Sequence, residues 1–188
     1  MSALTIKSTA LLTAEEFYLL PAPVDGSQQE LVKGVVVTMP PPSNYHGRCC
    51  SLIDRRLGVH VETHNLGIVT ANDSGVLVAR GPDTVRGPDI AFWSRDRLPN
   101  PPRHGYPDVA PDLAAEVLSP SDVFSQVLRK AQEYFSAGVR LVWIFVPDDQ
   151  SISIHRPGQP PVLLGITDTL TGDDVVPGFS CPVAQFFP

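Results

Sequence analysis

Two acids stand inside short apolar runs far apart in the chain. Asp89 follows Arg86-Gly87-Pro88 and leads into Ile90-Ala91-Phe92-Trp93, and Glu116 sits in Asp112-Leu113-Ala114-Ala115-Glu116-Val117-Leu118. Both runs read as β-strands bounded by turn residues. If the strands pair antiparallel, the start of one lies beside the end of the other, which brings the carboxylates together. Two unit charges about 4 Å apart repel by roughly 4 kcal/mol at an effective dielectric near 20. Acids placed so either share a proton or bind a cation. A hard divalent ion such as Mg²⁺ needs one or two carboxylates, with water and substrate phosphate completing its shell. A lysine beside it would serve the phosphate, and the outline is metal-assisted phosphodiester hydrolysis. The plainer alternative makes Asp89 a strand-start residue after proline and Glu116 a surface acid of an edge strand. Spacing alone leaves both open.

The lysine would come from a helix. Over residues 121–137, Val123, Val127, Leu128, Ala131, Tyr134 and Phe135 form an apolar stripe, and Ser125, Gln126, Arg129, Gln132, Glu133 and Ser136 a polar one. Lys130 lies three residues from Val127 and four from Tyr134, on the apolar side. A lysine there either snorkels out along the sheet or meets an acid such as Glu116. Glu30 opens an earlier strand and is a third acid for the site or a surface glutamate. His46, in the first turn of another helix, could touch a phosphate or a water, or be structural. Arg48, Arg55 and Arg56 on that helix read as a solvated face or a phosphate-facing one. No glycine-rich phosphate loop followed by lysine and no nucleophile elbow is present. His60, His64, His104 and His155 show no ligand spacing with each other.

The positioning elements follow from pattern and punctuation. Thr13-Ala14-Glu15-Glu16 has the form of a capping box, so a short helix starts there and ends before Pro21. Glu30-Leu31-Val32 and Val35 to Met39 form a hairpin turning at Lys33-Gly34. Ser43 or Asn44 caps a helix to about Thr63, with Leu52, Ile53, Leu57 and Val61 at helical spacing. Strands are expected over 67–71, 75–79 and 85–93, followed by a proline-rich connection over 94–111. The 112–118 strand leads into Ser119-Pro120-Ser121-Asp122, which reads as a helix start, with the helix stopping at Gly138. Val139 to Val146 is an unbroken apolar run, a central strand buried on both faces. Strand, helix and strand in succession predict a parallel crossover. Ser151 to His155 and Val162 to Ile166 read as a hairpin, Asp148-Asp149 as a turn.

The 188 residues fit one domain, with a core over about 12–157 and an extension over 158–188. A net charge of −6 argues against a surface that coats nucleic acid non-specifically, though not against a local basic cleft. Three cysteines, Cys49 and Cys50 adjacent and Cys181 distant, make no disulfide framework and no zinc spacing, so a reducing cytoplasm is expected. The amino-terminal stretch, with Lys7 and no long apolar run, predicts no signal peptide, and no segment approaches the roughly 20 apolar residues of a membrane span.

Gln29-Glu30-Leu31-Val32-Lys33-Gly34, Pro41-Pro42-Ser43-Asn44-Tyr45-His46, Pro88-Asp89-Ile90-Ala91, Ala115-Glu116-Val117-Leu118-Ser119-Pro120-Ser121 and Lys130-Ala131-Gln132-Glu133-Tyr134-Phe135-Ser136-Ala137-Gly138-Val139 with Trp143 resemble, in order and spacing, the Uma2 family. That family is assigned to the PD-(D/E)XK, or restriction-endonuclease-like, superfamily. The resemblance, over about residues 12–157, implies an α/β fold: a restriction-endonuclease-like core with a central mixed β-sheet flanked by helices. It implies Mg²⁺ or Mn²⁺ held by Asp89, Glu116 and the Val117 carbonyl, with Lys130 catalytic and Glu30 and His46 as further site members. The superfamily places a lysine two residues after the glutamate. Leu118 stands there, and the family's helix lysine matches Lys130. The implied activity is endonucleolytic hydrolysis of nucleic acid, DNA first, and cutting both strands of a duplex would suit a two-fold symmetric homodimer. Two alternatives stand beside it: a catalytically silent nucleic-acid or protein binding module on the same fold, and a hydrolase of small phosphate esters.

Overall fold

The Thr13 hydroxyl accepts from the Glu16 amide and the Glu16 carboxylate accepts from the Thr13 amide, so the capping box closes and starts helix α1 (Ala14–Tyr18). The structure, a computed structural model, describes residues 11–120 and 122–188. Lys7 and Ser121 of the sequence reading lie outside the described residues. Strands β1 (Gln28–Val32) and β2 (Val35–Met39) form the expected hairpin. Lys33 and Gly34 at its turn both have positive φ, 51° and 79°, as a type I′ turn requires. Ser43 caps α2 (Asn44–Thr63) by accepting from the His46 amide at 3.1 Å.

Strands β3 (Gly67–Ala71) and β4 (Val76–Ala79) lie close to their expected bounds. The expected strand over 85–93 is two strands, β5 (Thr84–Arg86) and β6 (Ile90–Ser94), separated by Gly87-Pro88-Asp89. Pro88 has no amide to give a ladder, and the interruption carries the chain from one sheet to another. One sheet is four-stranded, in the order β2-β1-β5-β4. The other is six-stranded, β10-β9-β8-β7-β6-β3, built with β7 (Leu113–Val117), β8 (Leu141–Val146), β9 (Ser151–His155) and β10 (Val162–Leu164). The β3–β4 connection makes the opposite crossing beside it. An alanine Cβ at Gly87 would stand 2.9 Å from the Asp73 carbonyl oxygen, so the two crossings touch.

The six-stranded sheet is mixed as expected. β6 and β7 pair antiparallel, Ile90 opposite Ala115, and β7 and β8 pair parallel, Leu113 opposite Leu141. The connecting helix α3 (Phe124–Ser136) begins three residues later than expected. Ser119 and Asp122 bond to each other instead: the Asp122 carboxylate accepts from the Ser119 amide, and the Asp122 amide donates to the Ser119 carbonyl. Asp122 thus spends its side chain on Ser119, and Val123 at the helix start provides no side-chain cap.

Each face of the sheet carries one helix. Cys49, Ile53, Leu57 and Val61 of α2 pack on Ile90, Phe92, Ala115, Val117, Trp143 and Phe145. Ala131 and Tyr134 of α3 pack on Ala91, Trp93, Ala114, Val142 and Ile144. Burying each large side chain fully contributes about 1.5–3 kcal/mol. The segment after β10 adds β11 (Thr169–Thr171), β12 (Ser180–Pro182) and a 3₁₀ turn at Val183–Phe186. It supplies Leu170, Val176, Phe179, Val183 and Phe186 to the α2-side core, so residues 158–188 complete the core. Among the described residues no helix is long and apolar enough to cross a membrane.

The closeness of the two crossings makes Gly87 intolerant of a side chain. Gly87→Ala is expected to lower stability by about 1–3 kcal/mol, the usual cost of overpacking, in a denaturant titration.

Candidate functional site

The two crossings, the carboxyl end of β7 and the inner faces of both helices converge on one group of charged side chains. Extending the β6–β7 register by one residue sets Asp89 opposite Glu116. Extending the β1–β5 register by one sets Glu30 opposite Arg86. The antiparallel pairing expected from the sequence therefore brings the acids to one end of the sheet.

Lys130 is the hub. Its ammonium, on a side chain 15% exposed, donates to Glu116 Oε2 at 2.9 Å and to the Gly87 carbonyl at 3.0 Å, and lies 2.9 Å from Glu30 Oε1. An ammonium has three donors, and here each has an acceptor. Helical spacing had set Lys130 on the apolar side of α3, and of the two fates open to it there the structure shows the meeting with acids. Tyr134, one turn further on, donates its hydroxyl to Glu116 Oε1 at 2.7 Å. Glu30 is filled from three sides, also accepting from the Gly87 amide at 2.9 Å and from Arg86 at 2.6 Å. Arg86 extends the network to Glu133 at 2.7 Å.

Asp89 is held from the other helix. Its Oδ2 accepts from the Val117 amide at 2.7 Å, and its Oδ1 lies 3.3 Å from His46 Nε2 and 3.6 Å from Cys50 Sγ. Asp89 precedes the first ladder pair of β6, so strand alternation does not fix its direction. It reaches across the end of β7 toward α2, whereas Glu116 shares the face of Ala114 and faces α3. The two acids thus meet at the sheet's end with partners on opposite helices.

Asp73, in the β3–β4 crossing, completes the group and accepts from the Gln28 side chain. The sequence reading did not single it out, because Asn72-Asp73-Ser74-Gly75 has the composition of a plain turn. Arg86, Tyr134 and Cys50 were also passed over as site members. One signal was readable: Cys50 follows His46 by four residues, on the same helix face.

The charge balance is negative. Glu30, Asp73, Asp89 and Glu116 face the cations Lys130 and Arg86, and Glu133 takes part of the Arg86 charge. Burial pushes the Glu116 carboxyl up to about 7 against the pull of Lys130, with Asp89 and Glu30 adding repulsion. Burial and then Asp89 push Asp73 up to about 6. Glu30 goes the other way: Lys130 and Arg86 outweigh burial and hold it below the ordinary range. Burial works against the His46 imidazolium, but Asp89 and the Val117 carbonyl outweigh it and raise the ring's affinity for a proton. Acids that repel one another into proton uptake form a donor set a divalent cation fits, and Asp89, Glu116 and the Val117 carbonyl offer hard oxygens.

A mixed sheet flanked by helices, with acids and a lysine gathered at its end, is a restriction-endonuclease-like core. The chain belongs to the Uma2 family, described as "Putative restriction endonuclease", whose model matches residues 14–184. That description indicates a nuclease. The fold is similar to a solved structure described as a "putative nuclease belonging to DUF820" from Anabaena variabilis. The TM-score is 0.79 at 19% identity, over 94% of this chain and 97% of that one. No curated protein matches the chain.

Two measurements check these electrostatics in metal-free buffer. Lys130→Met leaves Glu30 and Glu116 without their shared cation, so stability should fall by about 3–5 kcal/mol at pH 8. The loss should shrink at pH 5, where the uncompensated acids take up protons, as read by urea unfolding at both values. Asp73 binds its proton more tightly folded than unfolded, so its charge costs stability as pH rises from about 4 through 6 and beyond. Asp73→Asn keeps an acceptor for Gln28 and suits the positive φ of 53°. It should raise the melting temperature at pH 8 and barely change it at pH 4. The gain should be roughly 1 kcal/mol or less, because solvent screens a partly exposed charge.

Proposed function

We propose that this protein is a metal-dependent endonuclease that hydrolyses nucleic-acid phosphodiester bonds at the Asp89–Glu116–Lys130 group. The observation that carries the reading is Lys130 bound to Glu116 at 2.9 Å at the sheet's end, beside an excess of buried carboxylates. In this reading Asp89, Glu116 and the Val117 carbonyl hold Mg²⁺ or Mn²⁺. The ion would polarise the scissile phosphate and acidify a bound water.

The remaining roles belong to the chain's own groups. Lys130 supplies positive charge where negative charge develops on the phosphate. Glu30 is a positioning residue: it grips Lys130 and Arg86 from the second sheet and fixes the ammonium. Tyr134 orients the Glu116 carboxylate through Oε1. His46, against Asp89, orients that carboxylate or hands a proton to the leaving oxygen. The substrate we favour is DNA, cut by a homodimer whose two-fold symmetry matches a duplex. Free Cys49, Cys50 and Cys181 suit the reducing cytoplasm where such an enzyme would work.

A silent binding module is the second reading, favoured by the net charge of −6. One experiment separates the two. Purified protein is incubated with plasmid and linear DNA, and with RNA, in Mg²⁺ or Mn²⁺, beside Asp89→Ala and Glu116→Ala. The enzyme reading expects metal-dependent cleavage that each variant lowers on the order of 10²–10³-fold. Metal-dependent binding with no cleavage supports the module instead.

A further inference from the structure

Beside the hard oxygens lies a donor set of different chemistry. His46, Cys50 and Asp89 each present one ligand atom, and the three atoms lie within 4.8 Å of one another. Asp89 Oδ1 is 3.3 Å from His46 Nε2 and 3.6 Å from Cys50 Sγ. Cys50 Sγ is 3.4 Å from the same imidazole at Nδ1. With bonds of about 2.3 Å to sulfur and about 2.0–2.2 Å to nitrogen and oxygen, a tetrahedral zinc ion separates its ligands by roughly 3.4–3.6 Å. Asp89 Oδ1 and Cys50 Sγ already stand at about that spacing, and the imidazole presents Nε2 to Asp89 and Nδ1 to Cys50, so a turn of the ring brings one nitrogen to an ion held by the other two.

Their backbone supports hold them there. His46 and Cys50 are successive turns of one face of α2, and the Ser43 cap fixes the turn that carries His46. Asp89 is tied down by the Val117 amide through its other oxygen. Cys50 is partly buried, and the His46 and Asp89 side chains are 10% and 8% exposed, so the turn of the His46 ring is the main adjustment a bound ion would impose. Nitrogen, sulfur and oxygen together select borderline or soft ions over Mg²⁺, and three protein ligands leave a tetrahedral ion one open position.

We infer that His46, Cys50 and Asp89 form a binding site for a thiophilic divalent ion of the zinc class. On binding, Cys50 Sγ gives up its proton to solvent and the thiolate bonds the ion, while His46 binds through a neutral ring nitrogen. Asp89 is shared with the hard-ion position proposed above. That link rests on the nuclease reading, whereas the His46–Cys50–Asp89 set does not.

The test uses the full chain, stripped with a chelator. Cd²⁺ is titrated while the ultraviolet thiolate-to-cadmium charge-transfer band is followed, and Zn²⁺ affinity is measured by calorimetry. Wild type, Cys50→Ser, Cys49→Ser and Cys181→Ser are compared, each with its circular dichroism spectrum as a folding control. The band is expected in wild type, Cys49→Ser and Cys181→Ser and absent in Cys50→Ser, whose Zn²⁺ affinity falls roughly ten-fold or more. No band in wild type, or a band that survives in folded Cys50→Ser, overturns the site. If Cys50→Ser fails to fold, the Cys49→Ser and Cys181→Ser spectra decide: a band kept in both assigns it to Cys50, and a band lost in either overturns the site. A band without any DNA or RNA cleavage leaves this site standing and removes the nuclease reading. Cleavage in Mg²⁺ without a band does the reverse.

Discussion

One ammonium group joins most of the architecture. Lys130 leaves α3, bonds Glu116 at the end of β7, meets Glu30 on β1 of the other sheet, and reaches the Gly87 carbonyl in the crossing between the sheets. Moving a lone ammonium out of water costs several kcal/mol, so such a group persists only where acceptors surround it. Three acceptors do so here, and each belongs to a different segment. The same bonds that make the charge tolerable fasten helix, sheet and crossing together. Arg86 repeats the arrangement one step outward, between Glu30 and Glu133.

The consequence for chemistry is a surplus of carboxylate. Lys130 and Arg86 satisfy Glu30 fully enough to hold its proton affinity down, but they leave Glu116 and Asp73 raised, to about 7 and about 6. A surplus of this kind costs stability on its own and would be offset by a bound cation, in keeping with the metal position proposed above. Asp89 sits where the two halves meet. Its backbone position is set by β6 and its carboxylate is gripped by the Val117 amide, so it borders the α3 network through Glu116 and the α2 group through His46 and Cys50.

Much of this could be read from the chain before any coordinates. Apolar runs bounded by turn residues located β6 to β9, and the helical spacing of Ile53, Leu57 and Val61 located α2. The register of two strands and the stripe on α3 were enough to bring Asp89, Glu116 and Lys130 near one another. What escaped has physical causes. The break between Arg86 and Ile90 looked like a continuous strand because a crossing between sheets leaves no hydrophobic gap, only Gly87-Pro88. Asp73 escaped because its burial comes from the neighbouring crossing and not from its own apolar context. Cys50 escaped because cysteines were paired with cysteines, and histidines with histidines, when the informative pair was mixed. The carboxyl-terminal strands are short, and their core residues Val176, Phe179 and Val183 follow no single period, so their place under α2 is set by tertiary contact alone.

Leu118 bears on how the lysine is delivered. Side chains two apart on a strand share a face, so a lysine at 118 would stand on the α3 side, beside Glu116. Leu118 takes that direction and packs into the α3-side core with Val127 and Leu128. Lys130 comes down onto the same face from the helix that covers it. The strand route would bring the ammonium in along the sheet edge, while the helix route brings it from above, already anchored by Glu30 on the second sheet. The site therefore needs the crossover helix in register with both sheets before its charge is in place, and a slip of α3 by one residue would rotate Lys130 by about 100° away from Glu116. Tyr134 guards against that slip, since it bonds the same carboxylate one turn later and is itself fully buried.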